Sequence, residues 1–138
     1  MNALPELVPS RSGVYRAPAD TSDLRTRAAQ TGASWLDIDI GAARDKPGLL
    51  RVLASALAFP HHFGGNWDAL SDSLQDLAWL PASGYVLHVR DADGARQALG
   101  SEWSTFLEVL SESAQYWKSR GRPFIVLIDT TRDLPPWL

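Results

Sequence analysis

The 138 residues include no cysteine, which excludes a disulfide framework and any thiolate-held metal. No apolar run approaches the ~20 residues that a membrane-spanning helix requires. The opening residues, MNALPELVPSRSG, lack the basic and apolar regions of a secretory signal. The expectation is therefore a cytoplasmic protein with no membrane partner. Basic charge is also short: 13 Lys and Arg against 16 Asp and Glu give a net charge of −3 and a pI near 5.5. That balance argues against direct binding of nucleic acid, which calls for a basic patch. There is no glycine-rich phosphate loop, nucleophile elbow or kinase signature, and no nucleophile with a recognisable base. No catalytic residue and no cofactor are expected, and the protein is not expected to be an enzyme.

What is present has the makeup of a globular protein, 45% hydrophobic and 21% charged, long enough to bury a core. Residues 1–12 hold two prolines and few large side chains and are expected to form a flexible arm. Residues 13–33 predict an extra β-α unit: GVYR as a strand stopped by Pro18, N-cap types at Asp20 to Asp23, then Leu24 and Ala28 before a stop at Gly32. Residues 34–40 alternate, with Leu36, Ile38 and Ile40 on one face, as in a half-buried strand. Lys46-Pro47 opens a helix with Leu49, Leu50, Leu53, Ala56 and Leu57 on its apolar side. Residues 85–89 predict a mostly buried strand and residues 95–99 a short helix. Trp103, Phe106, Leu107, Leu110, Ala114 and Trp117 mark a long helix stopped by Gly121. The run FIVLI at 124–128 has the pattern of a strand covered on both faces, and the tail cannot prolong it past Pro135. Strands alternating with helices imply βαβ units and a mainly parallel sheet. The expected fold class is α/β, one domain over 13–138, with a core at 34–130.

Residues 59–77, FPHHFGGNWDALSDSLQDL, differ from the rest. Phe59-Pro60 closes the preceding helix, Gly64-Gly65 permits a sharp turn, and Asn66 stands where an N-cap belongs. Trp67, Leu70, Leu74 and Leu77 then mark one face of a helix, and Asp68, Ser71, Asp72, Gln75 and Asp76 the other. Asp68 and Asp72 lie one turn apart, in the first turns, where the helix dipole favours negative charge. No Lys or Arg occurs from residue 54 to residue 89. This face invites a cationic ligand. Asp72, between small Ser71 and Ser73, is the acid expected to project into a partner, and Asp76 is expected nearer the rim.

Other readings of the same residues are weaker. A solvated acidic face is commonplace. Two acids on one exposed helix side cannot flank a bond from opposite directions as paired catalytic carboxylates do. His61 and His62 near Asp68 are zinc-ligand types, but neighbours on an extended segment point apart and no metal-binding spacing follows. His88 falls in a strand and is expected to be packed. Trp67, Trp103 and Trp117 are expected in the core, while Trp35 and Trp79 are ambiguous.

The run F-P-x-x-F-G-G-N-W-D-A-L-x-D-x-L-x-D-L resembles the signature of the barstar family, small intracellular inhibitors of barnase-type ribonucleases. The order of elements agrees from about residue 35 to residue 129. The resemblance implies a small parallel sheet packed with helices, here with residues 13–33 as an N-terminal β-α extension. It implies a monomer whose partner is a basic extracellular or toxin-type ribonuclease, blocked by acids standing in for RNA phosphates, with no metal. Asp68 and Asp72 match the family's acids, Asn66 matches an asparagine, and His62 and Phe63 stand in place of two tyrosines. The implied partner-binding set is His62, Asn66, Asp68, Ser71, Asp72, Gln75 and Asp76. The chain departs from the pattern where Ser71 replaces a tryptophan, Ser73 a cysteine, Asp76-Leu77 a Gly-Trp pair, and Tyr116 an acid. An adaptor or regulatory module that binds a non-nuclease basic protein is the alternative.

Overall fold

The computed structural model describes residues 6–60, 64–130 and 134–137. Its strands are β1 (Gly13–Arg16), β2 (Ser34–Asp39), β3 (Tyr85–Arg90) and β4 (Phe124–Ile128). They form one sheet in the order β1-β4-β3-β2, with every neighbouring pair parallel. Among the described residues five helices connect them: α1 (Ser22–Thr31), α2 (Lys46–Ala56), α3 (Trp67–Leu74), α4 (Ala92–Leu99) and α5 (Ser101–Ser119). The expected α/β class and the three expected parallel strands are present.

Strand alternation divides the molecule into two layers of packing. Val14, Val126, Leu87 and Leu36 are in register across the sheet and meet the large core built with α2, α3, α4 and α5. The opposite face carries Val86, Ile125 and Leu127, covered by Leu24 and Ala28 of α1 together with Leu7 and Trp137. β4 lies inside the sheet with both faces covered, so all five of its residues are buried. That explains why its apolar run has no polar alternation.

Local signals account for the element ends. Asp45 caps α2 by accepting the Gly48 N–H at 2.8 Å, with Pro47 in the first turn where its missing N–H costs nothing. α1 stops at Gly32, whose φ of +78° suits a residue without a Cβ.

Two expectations are modified, and the tail, expected not to prolong β4, takes a place of its own. Residues 1–5 of the expected arm lie outside the described residues, but the remainder is packed. Leu7 is buried, residues Pro9–Arg11 form a 3-10 turn, and the Ser12 hydroxyl accepts the Phe124 N–H at 3.0 Å. Low apolar content did not keep this segment loose, because it closes the edge of the second core layer. The tail does not extend β4 but returns beside β1, where Arg16 N–H donates to Pro135 O at 2.8 Å and Trp137 N–H to Arg16 O at 3.1 Å. α4 begins at Ala92, three residues earlier than expected.

Candidate functional site

α3 is fixed at both ends. Gly65, at φ +70°, turns the chain into it, and the Asn66 side chain accepts the Ala69 N–H at 2.7 Å as an N-cap. Leu70 and Leu74 are fully buried against the core. At the far end the Trp117 indole N–H of α5 donates to Leu74 O at 2.7 Å, satisfying one of the carbonyls left open at a helix end.

The helix is shorter than its apolar spacing implies. It ends at Leu74, and Gln75 is the C-cap. Leu77 does reach the core, 1% exposed, but from a left-handed turn at φ +50°. Trp67 is only half-buried, tilted against Phe106 with ring centres 6.3 Å apart and with Lys46 Nζ 5.8 Å from its own ring centre. A bulky ring at the first helical position overhangs the edge of the core. Trp103 and Trp117 are buried as expected.

The expected site residues divide by what they touch. Asp68, Asp72 and Asp76 are exposed, and among the described residues none of the three forms an ion pair. Asp76 lies in the turn beyond the helix, not on it, with its N–H donating to Ser73 O at 3.2 Å. Ser71 and Gln75 are half-buried and bonded to each other, Gln75 Nε2 donating to Ser71 Oγ at 3.2 Å. Asn66 is engaged as the cap. His62 lies outside the described residues, as do His61 and Phe63.

The left-handed turn at Leu77 brings a residue that sequence reasoning left unplaced. Trp79 folds back toward α3, its indole N–H donating to Leu57 O at 2.9 Å and its ring meeting Phe59 edge-on at 5.9 Å. It forms one side of a cleft of about 300 Å³ that is also lined by Pro60, Gly64, Ala69, Asp72, Ser73 and Asp76. Asp72 and Asp76 therefore share a cleft that does not include Asp68. The Trp-Leu-Pro sequence signals only a helix end, so nothing in it announces this contact.

A larger cleft, about 600 Å³, opens at the carboxyl ends of the strands between Pro18, Arg90, Asp91, Asp93 and Asp129. Open parallel sheets commonly bind ligands at this end, but here the acids are largely committed to the fold. Buried His88 places Nε2 2.8 Å from Asp129 Oδ1 and Nδ1 3.4 Å from Asp37 Oδ1. Arg25 of α1 lies 2.9 Å from Asp37 Oδ2, and the Trp35 indole N–H donates to Oδ1 at 3.2 Å. Burial pushes the Asp37 pKa up, but the hydrogen bonds from Arg25 and Trp35, with the nearby charges of Arg25 and His88, leave it below the ordinary aspartate value. Asp93 accepts the Thr130 hydroxyl and Asp39 the Gly41 N–H. Of the acids lining this larger cleft, Asp39, Asp93 and Asp129 meet donors within the chain, and Asp91 forms no ion pair among the described residues.

The fold defines a small α/β protein with a parallel sheet, and three exposed carboxylates, Asp68, Asp72 and Asp76, lie along one capped helix and the turn after it. A family profile described as Barstar (barnase inhibitor) matches residues 33–129, and the chain belongs to the barstar family. The match runs from the residue before β2 to the residue after β4, so β1 and α1 precede it and the Trp137 tail follows it. Members of this family are inhibitors, not enzymes, and their partner in general is a ribonuclease. No curated protein matches the chain.

Proposed function

We propose that this protein is a stoichiometric inhibitor of a barnase-type ribonuclease, acting in the cytoplasm as a monomer and conferring immunity to a toxic nuclease. The observation that carries this reading is the set of exposed carboxylates, Asp68, Asp72 and Asp76, with no ion pair among the described residues, on and just beyond a short helix fixed at both ends. A ribonuclease site must hold a phosphodiester with Arg, Lys and His, and those cations remain poised when RNA is absent. Carboxylates on a rigid helix can occupy the phosphate positions with charge-assisted hydrogen bonds, strongest to arginine. The opposite charges of inhibitor and nuclease also speed encounter. Nothing in this mechanism requires the protein to catalyse a reaction.

The test is a titration of RNA cleavage by a panel of purified barnase-type ribonucleases with the full chain, read on the nuclease that the chain inhibits. Complete inhibition near one equivalent, and its loss on Asp72→Ala substitution, is the expected result. A chain that binds a basic non-nuclease protein through the same helix, and leaves barnase-type nucleases active, would instead be the adaptor of the alternative reading.

A further inference from the structure

Two buried tryptophans, each 6% exposed, are held in different ways. Trp117, in the large core, donates its indole N–H to Leu74 O at 2.7 Å. Trp137 has no acceptor for its indole N–H among the described residues. A donor buried without a partner carries a desolvation penalty, which release to water removes. The Trp137 ring meets Tyr15 edge-on at 4.8 Å, and its centre lies 4.2 Å from the Arg11 guanidinium carbon. Residues 134–137 reach the β1 edge through two backbone bonds, both at Arg16. Pro136, which bridges to Arg16, has no N–H to add a third. Among the described residues Leu7, Leu24, Ala28 and Trp137 are the buried side chains that cover the second face of the sheet, and Trp137 is the largest of them. All four lie outside residues 33–129, the part of the chain that the family profile matches.

We propose that residues 134–137 are a strap whose release opens the second layer, α1 included, as one unit while the core around α3 stays closed. The layer depends on one large side chain, so lifting Trp137 from its seat removes much of the apolar area that holds α1 and Leu7 down. α1 has ten residues, and a helix shorter than about 12–15 residues is marginal in water once its face is uncovered. Its ties outside the layer, Arg25 to Asp37 and the Ser83 hydroxyl to Thr31 O, are exposed to solvent. On the other side of the sheet, α2, α3, α4 and α5 share a larger apolar core that includes none of the strap. Folded proteins open in contiguous units of unequal stability, and the weaker unit here is the strapped layer. Its open state bares Val86, Ile125 and Leu127 and leaves Asp68, Asp72 and Asp76 on their anchored helix and turn. The strap is independent of whether the partner is a nuclease.

The experiment is native-state hydrogen exchange, followed by NMR on the isotope-labelled full chain at rising urea below the unfolding transition. Two levels of opening are expected. The amides of Ala28, Ala33 and Trp137 should exchange through one shared opening. That opening should be at least tenfold more frequent than the global unfolding that frees Leu74 and Leu110, inside α3 and α5. Trp137→Ala weakens the closed protein against both levels, so it should speed both groups by the same factor, at least tenfold. Trp117→Phe keeps a ring in the large core but loses the bond to Leu74 O, and should speed only Leu74 and Leu110. One common level for all five amides, separate levels for Trp137 and α1, or no response to Trp137→Ala overturns the strap. So does equal acceleration of both groups by Trp117→Phe. The wild-type levels and Trp117→Phe decide between these outcomes even where Trp137→Ala fails to fold.

Discussion

At the carboxyl ends of the strands, Asp37, Asp129, Asp93 and Asp39 each meet a donor within the chain. Around α3, Asp68, Asp72 and Asp76 have no ion pair among the described residues. Both regions are acidic, yet only the first set meets donors within the chain among the described residues. The first set ties α1 to β2 through Arg25 and Asp37, and β2 to the end of β4 through His88. Its loss should appear as instability. The second set rests on a helix already anchored by Leu70, Leu74 and the Trp117 bond, so its charges are not needed for folding. Its loss should appear in binding.

Removing the anchor of α3 should have the largest effect. Trp117→Ala takes away a buried ring and the donor to Leu74 O, and should cost about 3–5 kcal/mol of stability, measured by urea unfolding. Trp67→Ala should cost clearly less, since that ring is half-exposed; an equal loss would mean that the first turn of α3, not its last, is the anchor.

Next is Asp72→Ala. Binding to the cognate nuclease should weaken by about 2 kcal/mol or more, as for a central interface residue, and the loss should appear mainly in the off-rate. Stability should stay within about 0.5 kcal/mol of wild type. Surface plasmon resonance with parallel thermal melts checks both, and a folding defect with intact binding would dissolve the contrast between the two acidic regions.

His88→Ala should give the opposite pattern. It removes a buried ring that Asp37 and Asp129 share and should lower stability by about 0.5–1.5 kcal/mol for the hydrogen bond lost, with nuclease affinity unchanged. A smaller change is expected from acid titration. Because the Asp37 carboxyl is held below its ordinary value in the folded protein, its contribution is complete above the unfolded value near 3.9. It fades as pH falls through the lower folded value. Asp37→Asn should therefore flatten the loss of stability below about pH 4, and the effect should be modest because this side chain is 39% exposed. Asp68→Ala should lower stability by about 0.3–1 kcal/mol through the helix dipole, read by the same urea unfolding.

The residues themselves determined the α/β alternation, the buried strand at Phe124–Ile128, the Asn66 cap and the placing of Asp68 and Asp72 on an exposed helix side. Each depends on periodicity or on a cap reaching at most four residues along the chain, which a linear reading can follow. The tertiary structure alone decided that α3 stops at Leu74, that Trp79 returns to face Asp72 and Asp76, and that the chain ends cover the second face of the sheet. Leu77 fits a helical spacing but sits in a left-handed turn, because burial in the core outweighs the conformational cost to one residue. His88 meets Asp37 and Asp129 because β2, β3 and β4 lie side by side. Contacts between residues 41 and 51 positions apart are set by the order of strands in a sheet, and local pattern carries no record of that order.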